Sequence, residues 1–93
     1  MTNFRHSSNT MKVTITELQN GDFVWNQGFL FKVTELRIEK NDNNRDVMRY
    51  RGIVVPGVDG NEHIIKTGYN GGTYGHNDLC ECLIVKRDLI YQF

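Results

Sequence analysis

Leu18-Gln19-Asn20-Gly21-Asp22-Phe23-Val24-Trp25-Asn26-Gln27-Gly28-Phe29-Leu30-Phe31-Lys32-Val33 holds the pattern from which the fold is read. Leu18 to Asp22 is a turn sequence with one apolar residue tucked inward. Phe23-Val24-Trp25 then runs as an extended segment, Asn26-Gln27-Gly28 turns, and Phe29, Phe31 and Val33 alternate with Leu30 and Lys32. A period of two interrupted by turn-formers is the signature of a β-hairpin.

The same period continues in both directions. Val13 and Ile15 alternate with polar residues ahead of the hairpin. Behind it the apolar parity changes at Thr34-Glu35, from Phe31 and Val33 to Leu36 and Ile38, which predicts a β-bulge. Asn41-Asp42-Asn43-Asn44 is turn chemistry, and a strand is expected from Asp46 to Val55, with Met48, Tyr50 and Val54 on one face and Val47, Arg49, Arg51, Ile53 and Val55 on the other. Pro56 to Asn61 turns, Glu62 to Thr67 extends, Gly68 to Asp78 forms a loop, and Leu79 to Val85 is nearly continuous in apolar residues, as a central strand would be. Leu89 to Phe93 closes as a short turn and strand, and no helix is needed.

The fold class expected is therefore all-β, a small curled antiparallel sheet or SH3-like barrel of six to seven short strands, since closure removes exposed edges. Residues 1–10 are polar and aperiodic and read as a flexible tail; 11–93 read as one domain, with Met11 an alternative start. The Gly-Asp turn at Gly21-Asp22, the following strand, and Gly28 ahead of Phe29 to Val33 resemble the opening hairpin of SH3-like and KOW-type barrels. The resemblance spans residues 18–33 and implies architecture more than activity. Such barrels are often basic, whereas this chain is not.

Ninety-three residues allow one small core, and 39% apolar with 24% charged residues is an ordinary globular balance. Eleven Lys and Arg against eleven Asp and Glu sum to zero, so bulk attraction to nucleic acid or anionic membrane is not indicated. Charge is uneven along the chain, with six basic and four acidic residues in 29–55 against three and five in 56–93. No segment approaches the roughly 18 apolar residues of a membrane helix, and Cys80 and Cys82, with one residue between them, suit an intramolecular disulfide poorly. The expectation is a cytoplasmic protein with reduced thiols.

Catalytic chemistry has no strong signature. His63, His76, Cys80 and Cys82 are nominal zinc ligands, but Cys-x-Cys inside an apolar strand lacks the tight-knuckle spacing of a zinc site, and two buried thiols are the plainer account. Burial also disfavours a cysteine nucleophile. Gly68-x-x-Gly71 and Gly72-x-x-Gly75 precede no helical pattern and make no phosphate cradle. The carboxylates Asp22, Glu35, Glu39, Asp59 and Asp78 are scattered as solubility alone would scatter them. No catalytic residue, metal or cofactor is assigned, and the chain is read as no enzyme.

Binding is the function class that remains. Tyr69, Asn70, Tyr74 and His76 in the Gly-rich stretch, with Trp25 where it is exposed, suit a protein interface, because aromatic side chains bury much area at small entropic cost. Arg37, Arg49 and Arg51 supply an electrostatic companion. The expected partner is a protein or nucleoprotein complex, in the style of the small accessory proteins of phages and mobile elements that inhibit host defence systems or host enzymes. The alternative is RNA or single-stranded DNA, with Tyr50, Tyr69 and Tyr74 stacking on bases and Lys32, Arg37, Arg49 and Arg51 on phosphates.

Overall fold

The hairpin decoded from residues 23–33 lies at the middle of the sheet. In a computed structural model that describes residues 4–40, 42–58, 60–66, 69–76 and 81–92, with 69–76 and 91–92 as backbone, the strands are β1 (Thr10–Thr14), β2 (Phe23–Asn26), β3 (Phe29–Lys40), β4 (Asp46–Val54), β5 (Tyr69–His76) and β6 (Glu81–Val85). They pair antiparallel in the order β1-β6-β2-β3-β4-β5. The fold is all-β. Of the two forms expected, a curled antiparallel sheet or an SH3-like barrel, it is an antiparallel sheet and not a closed barrel, because β1 and β5 stand at opposite ends of that order.

Local chemistry explains the hairpins. Asn26 pairs with Phe29, so Gln27 and Gly28 are the two central residues of the turn, with φ of 54° and 85°. Positive φ at both positions matches the twist of the flanking strands, and glycine carries it without strain. At the Gly21-Asp22 turn, Gly21 has φ 92°, the Asp22 amide donates to Gln19 O at 3.1 Å, and the Gln19 amide donates to Asp22 Oδ2 at 2.8 Å. Two further bonds, Gly21 N to Val33 O and Val33 N to Asp22 O, both 2.8 Å, fasten this turn to β3.

The bulge expected at Thr34-Glu35 is present: the β3–β4 register shifts between Val33 and Glu35. Gly52 lies opposite Val33, where an added Cβ would stand 3.0 Å from both Lys32 O and Phe31 Cβ. The strands approach too closely there for a side chain.

Two hydrophobic clusters form where the sheet is wrapped by its ends. Val13, Ile15, Leu18, Val24, Val33, Tyr50, Cys82 and Ile84 bury one face, with Phe31, Leu36 and Met48 packed against them. On the other face Phe4, Phe23, Leu30, Val55 and Val85 pack together, covered by Trp25, Val58, Leu89 and Ile90. Each fully buried aliphatic side chain contributes roughly 1.5–3 kcal/mol. Phe29 is exposed and Leu30 wholly buried, so the stripe of Phe29, Phe31 and Val33 is not the only apolar face of β3. Phe4 is 5% exposed, so packing begins ahead of Met11.

Three stretches differ from expectation. Residues 69–76, read as loop, form β5, because the outer edge of β4 needs hydrogen-bond partners and Tyr and Thr favour extended backbone. Gly71 and Gly72 fall in a register irregularity between the Tyr50–Tyr74 and Gly52–Asn70 pairs. Residues 62–66 form no strand; the Ile64 amide turns back to Asn61 O at 2.9 Å. The last segment, Arg87–Gln92, is a 3-10 turn rather than a strand.

Two buried polar residues hold these connections. Asp22, 2% exposed and read from sequence as an ordinary surface carboxylate, receives Arg87 in a fork: Nε to Oδ1 at 2.9 Å and Nη2 to Oδ2 at 3.0 Å. Arg87 Nη2 also donates to Glu17 O at 2.9 Å, and the bond to Asp22 raises the Arg87 pKa further above its ordinary value. Glu17 itself closes a capping box, its Oε1 accepting from Thr14 N at 3.0 Å and Thr14 Oγ1 at 2.7 Å, and the backbone bond chiefly holds its carboxyl below the usual range. Asn61, fully buried, accepts from Leu30 N at 3.2 Å and donates to Leu30 O at 2.7 Å and Val55 O at 2.6 Å. Its amide thus stands in for a stretch of backbone partner.

Arg87→Met is expected to destabilise the protein by about 3 kcal/mol in urea unfolding, because Asp22 then stays buried without its guanidinium. A loss under about 1 kcal/mol would show that the fork is not a principal tie. Asn61→Ala, which strands the Leu30 amide and the Val55 carbonyl while Leu30 O keeps the Val55 amide, is expected to cost about 2–4 kcal/mol, and Asn61→Asp is not expected to restore it, since a carboxylate lacks the two N–H donors.

Candidate functional site

Beyond the bulge, β3 and β4 run on as a long ribbon, and the molecule measures 44 × 26 × 20 Å. Alternation places Leu36, Ile38, Met48 and Tyr50 on the face continuous with the first core cluster. The outward face carries Glu35 opposite Arg51, Arg37 opposite Arg49, and Glu39 opposite Val47, with Lys32 opposite Ile53 just before the bulge. The bulge sets this arrangement, for without the parity change Glu35, Arg37 and Glu39 would turn toward the core.

Arg37 opposite Arg49 sets like charges on facing residues, which is unfavourable in a sheet. Glu39 offsets it by bridging the two, with Oε1 2.7 Å from Arg37 Nε and Oε2 2.7 Å from Arg49 Nε. Glu35 lies 4.0 Å from Arg37 Nη1 and 3.9 Å from Arg51 Nε, at ion-pair but not hydrogen-bond range. Farther out, Lys40 and Asp46 pair at 2.8 Å. The face thus gathers four cations, Lys32, Arg37, Arg49 and Arg51, with two carboxylates between them.

Of the residues singled out in the sequence, Arg37, Arg49 and Arg51 are brought together. Tyr69, Asn70, Tyr74 and His76 belong to β5 at the neighbouring edge, at the register positions of Ile53, Gly52, Tyr50 and Met48. They belong to a strand rather than to the projecting loop expected. Trp25 lies on β2, separated from β5 by β3 and β4, half-buried against the second core cluster, and its indole Nε1 is buried with no hydrogen-bond partner among the described residues. Tyr50, 2% exposed, is core and cannot stack on a base.

Glu35, Glu39 and Ile38 were missed as site residues. The signal was present in the Glu35-x-Arg37-x-Glu39 and Arg49-x-Arg51 spacings, which place like-facing charges on two strands once the bulge is included. Ile38 is 66% exposed on the apolar side of the ribbon. Cys82 is buried, while Cys80 lies outside the described residues. Among the described residues no group of three or more His, Cys, Asp or Glu is placed to hold a metal, and no helix is long and apolar enough to cross a membrane.

No protein-family model matches the chain, and no curated protein or solved structure matches it. Function is therefore argued from the ribbon itself.

Glu39→Gln should loosen the ribbon, since it leaves Arg37 and Arg49 opposed without a carboxylate. The expected cost is about 0.5–1 kcal/mol at low salt, fading above roughly 0.5 M salt as screening shortens the reach of exposed charges. Amide exchange across residues 34–40 at two salt concentrations measures it, and equal protection in wild type and variant would rule the bridging role out.

Proposed function

We propose that this chain is a non-enzymatic binding module that acts on a protein or nucleoprotein partner through the β3–β4 ribbon and its β5 edge. The observation that carries this is a ribbon whose one face continues the first core cluster through Leu36, Met48 and Tyr50 and runs out at exposed Ile38, while its other face carries the arginines and glutamates. Packing of Leu36, Met48 and Tyr50 accounts for the ribbon's apolar face but not for three arginines gathered on the opposite face. A chain to which no catalytic group is assigned acts by occupying a surface, and inhibition of a host enzyme or defence complex is the specific form of that action suggested by its small size.

RNA or single-stranded DNA is the weaker alternative. It gains from Lys32, Arg37, Arg49 and Arg51 sharing a face, but Glu35 and Glu39 interrupt the basic stripe and buried Tyr50 removes one stacking platform.

Capture from a lysate of the source cells, with Ile38→Asp and Arg49→Gln as comparisons, tests the proposal. Wild type is expected to retain a protein that at least one variant loses while melting at a similar temperature. Retention of nucleic acid alone, with affinity falling steeply as salt rises, would replace the protein-binding reading with the alternative.

A further inference from the structure

We infer that the outward face of the ribbon takes an acidic, extended polypeptide segment, whose carboxylates are bound by Arg37, Arg49 and Arg51. This rests on the protein-binding reading above and names the chemistry of the partner.

The first support is the local charge. The whole chain is neutral, with eleven cations and eleven carboxylates, yet this face holds Lys32, Arg37, Arg49 and Arg51 against Glu35 and Glu39. An excess of two positive charges is concentrated where two arginines already face each other across the strands. A further carboxylate placed there relieves repulsion as well as gaining attraction.

The second support is which atoms are engaged. Both close contacts to Glu39 run through Nε, of Arg37 and of Arg49, and the nearest approach of Arg51 to Glu35 is also through Nε. A guanidinium has five N–H donors in a rigid plane; Glu39 holds Arg37 and Arg49 by charge at 2.7 Å, while the buried Nε of Arg49 and that of Arg51 make no hydrogen bond among the described residues, so donors on this face are left unmatched. No hydrogen bond within 3.5 Å joins the terminal amino groups of these three arginines to the described residues. Their side chains are 42, 32 and 42% exposed for Arg37, Arg49 and Arg51, which leaves them reachable from solvent. Arginines held beside a carboxylate, as Arg37 and Arg49 are by Glu39, lose less freedom on binding than arginines that swing in water.

The third support is spacing. Arg49 and Arg51 are two residues apart on one strand, roughly 7 Å, which is the distance between alternate side chains of any extended chain. Asp or Glu at alternate positions of a β-like segment therefore meets them in step. Nucleic acid fits less well, because Glu35 and Glu39 are 47 and 37% exposed on the same face and would lie against the phosphates.

The test uses a fluorescent peptide of alternating Glu and Thr, the same peptide with Gln for Glu, and a single-stranded oligonucleotide of equal charge, each titrated by anisotropy against the full chain. The Glu peptide is expected to bind at low salt and weaken as salt rises. Arg49→Gln and Arg51→Gln should each weaken it about tenfold or more, the loss of a charge-assisted hydrogen-bonded pair. Arg51→Lys, which keeps the charge but not the fork, should lose several-fold, and Lys12→Gln on the β1 edge should change nothing. No binding of the Glu peptide, equal binding of the Gln peptide, or tighter binding of the oligonucleotide overturns the inference. Persistent lysate capture by wild type alongside a silent peptide titration would sink this inference and leave the binding module standing. Absence of both would remove the two together.

Discussion

The fork between Arg87 and Asp22 is the constraint on which the rest of the structure depends. Asp22 sits in the turn that launches the central hairpin, and Arg87 opens the terminal 3-10 turn, so one pair ties together segments sixty-five residues apart. The same guanidinium reaches Glu17 O, and the Asp22 backbone receives Val33. Turn, hairpin, β3 and C-terminal segment are thereby fixed relative to one another. A carboxylate this deeply buried is tolerable only because its oxygens receive the two guanidinium bonds and the Gln19 amide.

Asn61 does the corresponding work on the other side of the hairpin. An open sheet has backbone groups that would remain unpaired wherever a neighbouring strand ends, and burial makes that costly. By offering one acceptor and two donations from a single side chain, Asn61 completes Leu30 and Val55 where no strand follows. The terminal segments then cover the second cluster, with Phe4 on one side and Leu89 and Ile90 on the other.

With that end of the sheet anchored, β3 and β4 can extend past the core. The bulge after Val33 and the narrow approach at Gly52 re-aim the ribbon, so that one face continues the core and the other is charged. Neutrality of the whole chain conceals a segregated surface, in which arginines are gathered on one ribbon face and held by intervening glutamates. Such a face discriminates by pattern as much as by total charge.

What the amino-acid sequence determined by itself was local: the β class, the hairpin at residues 23–33, a turn within Asn26-Gln27-Gly28, the parity change at Thr34-Glu35 and the alternation of Met48, Tyr50 and Val54. These follow from side-chain period and backbone conformation, which act within a few residues. Only the tertiary structure decided that the sheet stays open, that residues 69–76 become its edge strand, that residues 62–66 do not pair, and that Asp22 and Asn61 are buried. It also made partners of Glu35, Glu39 and the arginines, and it separated Trp25 from Tyr69 and Tyr74. Pairing of distant strands and burial of polar groups are set by which backbone atoms would otherwise lack partners, and that competition involves residues far apart in the chain.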